Sequence, residues 1–573
     1  MLRAILGRRQ ERKELPVSVL KEKGIGNWGP THREESDDVS VEISVLESIG
    51  DSKVCWSEYG VLLAISGFLY AEEISLEKIR KCGSLSGECR EAILDFISNL
   101  DGEFSGLLFF EETGNSVVFS NKIGLVPFYY TFEGGVAYCS SHLVEQARLL
   151  KAEGLSSSFD TGGMEAYLSQ GGMFGNETLL EKVKRVLPGE AVFLDSETGS
   201  SEPAKYHGFQ NECDHFESMD EAVDALDNAF EKAVVKQYSV DVRNGKRHFG
   251  GLSGGLDSRM DCIVSHESSF RRMNFTFGFP GCDDIRIAGS ISRSLGQQQV
   301  VVGLGDGDFI AQCLKDTCLA NGGVSLGIGS VHSYFAMKHL NFEGYGLLHS
   351  GQLGDAILGS FLSSSKHLPP KVGAKRYSRF SSPSSTEKEQ GMYKKYGNEE
   401  LYKLYTRGFL TANGGLSTTF PFTPSVSPFM DVEFMEIAFR CSPEWRYDKK
   451  LYYEWVKRKR PVAGRFLYQT TLARPIPHPP VVRFLQYARR GVTRKYHAYR
   501  KSPKSMNPFD FWYDNGEGLR EFVEFELNRN RGLGEAALGS RWSDVEIFLS
   551  DANALEKFQI VSFLFTLEAF VEC

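Results

Sequence analysis

The chain has 573 residues, with 65 lysines and arginines against 74 aspartates and glutamates, for a formal net charge of −9. This length is too great for one hydrophobic core and predicts two domains, while the negative balance argues against general nucleic-acid binding. The 11 cysteines lack the paired spacing of zinc sites or disulfide scaffolds, which favours a reducing compartment. No apolar run approaches the roughly 20 residues that span a bilayer, and Met1 to Arg12 lack the apolar core of a secretory signal. We therefore expect a cytoplasmic protein without a membrane span.

The N-terminal part of the sequence predicts a β-rich domain. Short alternating apolar segments separated by Gly-rich turns are typical of consecutive strands. The clearest of these segments are 61–65, 107–110, 116–119, 136–138 and 191–194.

From about Met219 the pattern changes to alternating helices and strands. Helical apolar spacing covers 220–238 and 285–295, and strands are expected over 274–278 and 299–302. This βαβ rhythm predicts a doubly wound parallel sheet, whose ligands bind beyond the carboxyl ends of the strands near a switch in strand order. Residues 545–571 predict a further helical core.

Residues 249–259, FGGLSGGLDSR, are the most informative segment for function. An apolar strand ends here and a helix begins, so the backbone N–H and hydroxyl groups of the turn can surround a phosphate. Asp257 is out of place in a pure anion site unless it holds a cation, as carboxylates beside polyphosphate do with Mg²⁺. The segment predicts a nucleotide site with Mg²⁺, and an ordinary Gly-rich turn is the alternative. The candidate phosphate-binding residues are Leu252, Ser253, Gly254, Gly255, Asp257 and Ser258.

The Ser253 to Ser258 segment resembles the pyrophosphate loop of the N-type ATP pyrophosphatases, most closely that of the asparagine synthetase family. The resemblance implies an ATP-pyrophosphatase domain of the adenine nucleotide alpha hydrolase-like class. It also implies a reaction in which the loop holds the β- and γ-phosphates while a carboxylate attacks the α-phosphate, giving an acyl-adenylate and pyrophosphate.

Two further segments resemble the same family. In 276–284, the backbone around Thr276 and Phe277 would take the adenine, although Asp283 and Asp284 are equally typical of a surface turn. In 347–359, an apolar strand again runs into a Gly-rich turn.

The resemblance gives three residues of this second turn a role. Ser350 and Gly351 would contact the α-phosphate, and Asp355 would be the second Mg²⁺ carboxylate beside Asp257. Taken alone, Asp355 could equally be a helix N-cap.

The chain departs from the family where the nitrogen chemistry would occur. Gln352 stands where the family has a glutamate, and an amide can orient an amine but cannot act as a base near pH 7. The family places a catalytic lysine after the helix that matches 449–454, yet no lysine occurs between Lys459 and Lys495. Arg474 could supply the charge, although arginine and lysine differ in geometry. Asp431 matches a family aspartate for which we expect packing and helix capping.

The segments 101–106, 120–130, 140–143 and 187–190 resemble the glutaminase domain that precedes the synthetase domain in this family. That domain implies an Ntn-hydrolase-like αββα sandwich whose N-terminal cysteine attacks glutamine. This chain begins Met1-Leu2, its first cysteine is Cys55, and Ser66-Gly67 replaces the Asn-Gly pair of the oxyanion hole. We predict a degenerate glutaminase-like domain over 1–205 and a synthetase domain with helical C-terminal additions over 215–573.

Two inserts are expected outside the site. Residues 360–385 predict a loop beside the pocket mouth. Residues 483–504 are basic and aromatic, which fits a solvated helix face or, alternatively, a surface for an acidic carrier, a polyphosphoryl lipid or nucleic acid.

Taken together, the sequence predicts an ATP- and Mg²⁺-dependent, AMP-forming amide ligase without glutaminase activity. Its substrate would be a small-molecule or peptide carboxylate, captured by ammonia from a separate source or by an amine, and a homodimer is compatible with this. Besides asparagine biosynthesis, the resemblance leaves open an intramolecular amine, as in β-lactam or lasso-peptide cyclases, and a sugar uronate. A non-catalytic or regulatory nucleotide-binding protein is the alternative class.

Overall fold

The computed structural model describes residues 1–572 apart from 8–13, 51, 72, 156–157, 213–215, 372–377, 382 and 476–502. The strands are β1 Leu2–Leu6, β2 Trp28–Glu35, β3 Val39–Leu46, β4 Cys55–Glu58, β5 Val61–Leu69, β6 Gly102–Phe110, β7 Asn115–Ser120, β8 Tyr129–Glu133, β9 Val136–Ser140, β10 Lys184–Arg185, β11 Glu190–Asp195, β12 Ser200–Lys205, β13 Arg247–Gly251, β14 Arg272–Gly278, β15 Gln299–Gly303, β16 Tyr345–His349 and β17 Ser425–Val426.

The α-helices of the described residues are α1 Val19–Glu22, α2 Gly87–Ser98, α3 Leu143–Ala152, α4 Thr161–Gln170, α5 Met219–Arg243, α6 Asp257–Glu267, α7 Asp283–Ser294, α8 Phe309–Asn321, α9 Val331–His339, α10 Pro383–Tyr393, α11 Glu399–Lys403, α12 Asn413–Ser417, α13 Val432–Arg440, α14 Pro443–Arg446, α15 Lys450–Arg458, α16 Phe509–Asn515, α17 Glu517–Arg529, α18 Arg531–Leu538, α19 Trp542–Ser550 and α20 Ala554–Val571. Two π-helical segments, Ala356–Ser360 and Leu404–Ala412, lie beside the candidate site.

All the strands of two antiparallel six-stranded sheets lie before residue 206. Their strand orders are β10-β8-β9-β1-β3-β2 and β12-β11-β7-β6-β5-β4. Apolar side chains of both sheets share one buried core, with β3 and β5 buried along their whole length. Helix α2 contributes Ile93 and Ile97 to that core, while α3 packs on β9 of the other sheet. A strand buried on both faces has no polar face, which explains the continuous apolar run of β5.

The third sheet is parallel, with the order β15-β14-β13-β16-β17. The chain adds β14 and β15 on one side of β13 and then crosses to place β16 on the other side. Strand order therefore switches between β13 and β16, where the loops that follow the two strands lie side by side. The mixed α/β architecture predicted from the sequence is confirmed, with antiparallel sheets first and a parallel sheet after them.

The two halves of the chain share hydrophobic packing. Helices α3 and α4 bury side chains in the same core as α8 and α20. Helix α20 is buried around most of its circumference, including Phe563 and Leu564, which is why its sequence is apolar without a helical period. Among the described residues, no helix combines the length and hydrophobicity needed to cross a membrane.

A polar cluster also joins the halves, and it leads to a prediction. Lys236 of α5 pairs with Asp101 at 3.2 Å and with Asp431 at 2.5 Å, and Asp431 caps α13. Glu103 lies buried nearby and accepts a hydrogen bond from Asn121. Burial raises the pKa of Glu103 to about 8, an effect that the charge of Lys236 only partly offsets.

Glu103→Gln is expected to abolish the part of the pH dependence of the free energy of unfolding that Glu103 causes. The folded protein keeps the Glu103 proton between pH 4.5 and 8 while the unfolded chain loses it, so the free energy of unfolding falls across this interval by at most about 1.4 kcal/mol per pH unit. Urea unfolding at pH 6 and pH 8 measures the difference. The exposed Glu111→Gln is the control, and an equal loss of stability in wild type and Glu103→Gln would contradict the assignment.

Candidate nucleotide and metal site

The Ser253–Ser258 segment joins the end of β13 to the start of α6, at the centre of the parallel sheet. Its backbone N–H groups donate to side chains of the protein itself. Ser253 N donates to Ser258 Oγ at 3.0 Å, and Gly255 N donates to Ser253 Oγ at 3.1 Å. Gly254 N donates to Asp284 Oδ1 at 3.0 Å. A phosphate bound here would have to replace these hydrogen bonds, and Asp284 Oδ1 occupies the position that one of its anionic oxygens would take.

A buried arginine fixes a second segment above this loop. The guanidinium of Arg259 donates to the carbonyl oxygens of Gly254, Ala463, Phe466 and Leu467. Burial lowers the pKa of Arg259 to about 10. Gln469 N also donates to Gly254 O at 3.0 Å. The segment 463–469 therefore lies against the loop and brings Tyr468 to the site.

The turn after β16 packs directly on the first loop. A side chain on Gly351 would overlap the Asp257–Ser258 peptide, and a Cβ on Gly354 would lie 2.7 Å from Asp257 Cγ. The backbones approach this closely only because both residues are glycine. Asp355 N donates to Asp257 Oδ2 at 3.0 Å, so the two candidate Mg²⁺ carboxylates belong to adjoining turns, as expected.

The environment of Asp257 suits a bound cation. Burial raises its pKa well above the ordinary value, and the charge of Asp355 raises it further. Tyr452 donates to Asp257 Oδ1 at 2.9 Å. Two neighbouring carboxylates that repel one another are stabilised by a divalent ion, and oxygen ligands are those that Mg²⁺ prefers. Asp355 makes no side-chain cap to the helix that follows it, which leaves its carboxylate available as a ligand.

Lys449 is a site residue that the sequence analysis missed. Its Nζ lies 3.9 Å from Asp355 Oδ2 and donates to Tyr468 Oη at 2.8 Å. Burial lowers the pKa of Lys449, but Tyr468, Asp355 and Asp257 outweigh that effect and raise it above the ordinary value. Asp448 and Lys449 both have left-handed backbone, with φ of 59° and 60°. Such strain is often found at functional sites, and here it turns the lysine towards the two carboxylates.

Thr276 and Phe277 lie near the end of β14 and Ser350 follows β16, but several of their polar groups are already bonded. Thr276 Oγ1 donates to Leu252 O at 2.7 Å, and the Phe277 ring packs on His332 in a tilted arrangement. Ser350 donates both its N–H and its hydroxyl to Val426 O. Arg474 is exposed and follows the Tyr468–Ala473 bridge. The basic segment 483–504 lies outside the described residues except for its last two positions, and the predicted loop 360–385 is described only in part.

Gln352 Nε2 donates to Ala412 O at 2.9 Å, which leads to a second prediction. Gln352→Glu should destabilise the fold by about 1–3 kcal/mol at pH 8, because an ionised carboxylate would face a carbonyl oxygen and could not donate. The loss should shrink towards pH 4, where the glutamate is protonated and can donate again. Urea unfolding at both pH values measures it. Equal stability of variant and wild type at pH 8 would show that the contact is unimportant.

Comparison with known proteins finds a family match that spans part of the candidate site. Residues 225–408 match the family model for asparagine synthase. This part of the chain is similar to the asparagine synthase family. The asparagine synthase segment contains the loop, β14 to β16, Gln352 and Asp355, and it ends before Lys449 and Tyr452.

Among curated proteins, asparagine synthetase [glutamine-hydrolyzing] 2 of Arabidopsis thaliana is 24% identical over 423 residues. The match covers 70% of this chain and 62% of that relative. Similar solved structures include NMN synthetase from Francisella tularensis, at 15% identity, over 25% of this chain and 58% of that one, with a TM-score of 0.18. Glutamine PRPP amidotransferase from B. subtilis, complexed with ADP and GMP, gives 11% identity over 52% and 59%, with a TM-score of 0.20. TM-scores of this size carry no conclusion about the chain.

Proposed function

We propose that the chain is an AMP-forming amide ligase. A substrate carboxylate oxygen would attack the α-phosphorus of ATP, and the bond from that phosphorus to the bridging oxygen would break, releasing pyrophosphate. Ammonia or an amine would then attack the acyl carbon, lose a proton and release AMP. The observation that carries this proposal is the meeting of Asp257, Asp355 and Lys449 beside the Ser253–Ser258 loop.

The residues divide into three roles. Asp257 and Asp355 would hold Mg²⁺, which neutralises phosphate charge when bound. Lys449 would add a fixed cation next to them, because its raised pKa keeps it protonated and makes it unsuited to be a base. The backbone of Thr276 and Phe277 would take the adenine, and Ser350 and Gly351 the α-phosphate. Gln352 and Arg474 remain candidates for orienting the amine and for stabilising the acyl intermediate.

We further propose that residues 1–205 form an Ntn-hydrolase-like domain without glutaminase activity, followed by the synthetase domain over 215–573. Gly67 borders a cavity with only about 10 Å³ of room for water. Apolar side chains such as Val45, Leu46 and Val54 line it, and within the described residues no charged side chain does. Burial lowers the pKa of the α-amino group of Met1, which also lines the cavity, to about 5, so a glutamine zwitterion would lose its hydration there without a charged partner. Glutamate release from glutamine by the purified chain would refute this part.

Exchange of labelled pyrophosphate into ATP tests the ligase proposal. The assay takes a panel of amino acids, uronates and peptides as the carboxylate, with Mg²⁺ and no amine. Exchange that depends on one carboxylate class would support adenylation and identify the substrate. ATP binding without exchange for any member of the panel would contradict it.

A non-catalytic nucleotide-binding protein is the second candidate. It is favoured by the hydrogen bonds that already engage the N–H groups of Ser253, Gly254 and Gly255, since a phosphate must compete with them. This candidate predicts ATP binding that is equally strong in every carboxylate mixture, with no pyrophosphate formed.

A further inference from the structure

A buried histidine–aspartate cluster lies beneath the candidate site, where it connects three elements. Asp241 near the end of α5 accepts hydrogen bonds at its Oδ2 from His248 Nδ1 of β13 and His349 Nε2 of β16, both at 2.8 Å. Asp241 and His349 are 1% and 0% exposed. His349 directly precedes Ser350, and β13 leads into the Ser253–Ser258 loop. One carboxylate oxygen therefore holds the two strands whose following turns carry Asp257 and Asp355.

The approach of Asp241 to β16 is close and built into the sequence. Its Oδ1 accepts from Leu347 N at 2.8 Å, and a Cβ on Gly346 would collide with the same oxygen. Tyr238, one turn earlier on α5, stacks on the His349 ring with the ring centroids 3.6 Å apart. Every described hydrogen bond that the Asp241 carboxylate accepts therefore comes from a strand of the parallel sheet.

Hydrogen bonding accounts for the cluster better than a metal ion does. The three possible ligand atoms lie within 4.8 Å of one another. A metal on His349 Nε2 would require the proton to sit on Nδ1, which is buried and has no hydrogen-bond partner among the described residues. Metal-bound histidines almost always donate from their second nitrogen. Burial raises the pKa of Asp241, but His349 and the hydrogen bonds outweigh that effect and lower it, so Asp241 is an ionised acceptor.

We propose that Asp241 is a positioning residue that sets the spacing of the two Mg²⁺-binding turns through His248 and His349. This inference rests on the proposed function for the identity of the metal site. It predicts that loss of the carboxylate weakens Mg²⁺ binding without removing any group that touches metal or nucleotide. Mutation of a hydrogen-bond partner of a metal ligand typically lowers metal affinity by about 10–100-fold, and because Asp241 acts one step further from the metal we expect an effect near the lower end of this range.

Asp241→Asn tests the inference. Its Oδ1 can still accept from Leu347 N, while the amide nitrogen that replaces Oδ2 cannot accept from either imidazole. The Mg²⁺ concentration that gives half-maximal ATP binding should rise about tenfold or more. His349→Phe should behave likewise, since it keeps a ring on Tyr238 and loses the donor. His349→Gln should restore near-wild-type Mg²⁺ dependence, since its amide can donate from the place of Nε2. A purely structural role would not separate the last two variants.

Phe309→Ala is the control for general destabilisation, because Phe309 is buried against Phe335 and Trp512, neither of which belongs to the cluster. Its melting temperature should fall while its Mg²⁺ dependence stays unchanged. Hydrogen exchange of a 345–358 peptide, measured without nucleotide, should be faster in Asp241→Asn than in wild type.

The exchange measurement separates the two proposals. Faster hydrogen exchange in Asp241→Asn, together with no pyrophosphate exchange in wild type, would refute the ligase proposal and keep the positioning role. Unchanged hydrogen exchange and unchanged Mg²⁺ dependence of ATP binding in Asp241→Asn would overturn the positioning role alone. One equivalent of tightly bound zinc in the purified protein, lost in His349→Gln, would also overturn it.

Discussion

Asp257→Asn is expected to abolish ATP–pyrophosphate exchange, with a fall of at least about 100-fold, or about 2.7 kcal/mol of transition-state stabilisation. The amide keeps the size of the carboxylate and can still accept from Asp355 N, so the turn should keep its shape. It removes the charge that would bind Mg²⁺. The measurement is exchange at saturating ATP over a range of Mg²⁺ concentrations.

The same variant should be at least as stable as wild type at pH 8. Burial and the neighbouring charge of Asp355 raise the pKa of Asp257, so the ionised form of Asp257 opposes folding. Asparagine removes that charge. Asp355→Asn should also lose exchange, with a smaller effect because Asp355 is half exposed. Asp283→Asn is the matched control, since Asp283 pairs with Arg286 at the start of α7. Full exchange in Asp257→Asn would refute the metal assignment.

The sequence predicted the parts of the fold that local patterns determine. β5 and α5 follow from apolar periodicity, and the Ser253–Ser258 turn follows from glycines between a strand and a helix. The resemblance of 347–359 to the family implied that Asp355 adjoins Asp257, and this agrees with the rule that parallel strands place the turns that follow them at one edge of a sheet. The first two predictions need only short-range pattern.

Lys449 could not be predicted in the same way. It lies near Asp355 although it comes 94 positions later in the chain. Two consecutive left-handed residues, 448 and 449, direct it there, and neither is a glycine or an asparagine that would have indicated this conformation. The search for a lysine after residue 459 therefore found only Arg474. Lys449 places a cation beside Asp355, on a different element from the one that the sequence suggested.

The internal hydrogen bonds of the loop were equally hidden from the sequence. Asp284 is part of a turn motif that is typical of exposed positions, yet it is 5% exposed and accepts from Gly254 N. Burial raises its pKa above the ordinary value. The contact between Asp284 and Gly254 N depends on how α7 docks on the loop, which is a tertiary effect. A phosphate bound to the loop would have to replace this hydrogen bond, so its affinity would be the difference between two sets of hydrogen bonds.

Lys449→Met is expected to reduce pyrophosphate exchange by about 100-fold or more, comparable to the loss of a preorganised group that stabilises transition-state charge. Methionine keeps much of the apolar stem and removes the ammonium group next to Asp355 and Tyr468. Lys449→Arg should recover only part of the rate, because a planar guanidinium cannot place its charge where the Nζ lies. Steady-state exchange with ATP and carboxylate varied separately would show whether the loss is in kcat or in KM.

Two matched variants distinguish this assignment from the hypothesis based on sequence alone. Lys450→Met removes the adjacent, exposed lysine and should leave exchange within about twofold, since a screened surface charge acts weakly on the site. Arg474→Met should likewise have little effect on exchange if Lys449 supplies the cation, although it could still slow amide formation. A large loss of exchange in Arg474→Met together with normal exchange in Lys449→Met would reverse the two roles. Since Lys449 contacts Asp355 and Arg474 is exposed, we expect the loss in Lys449→Met.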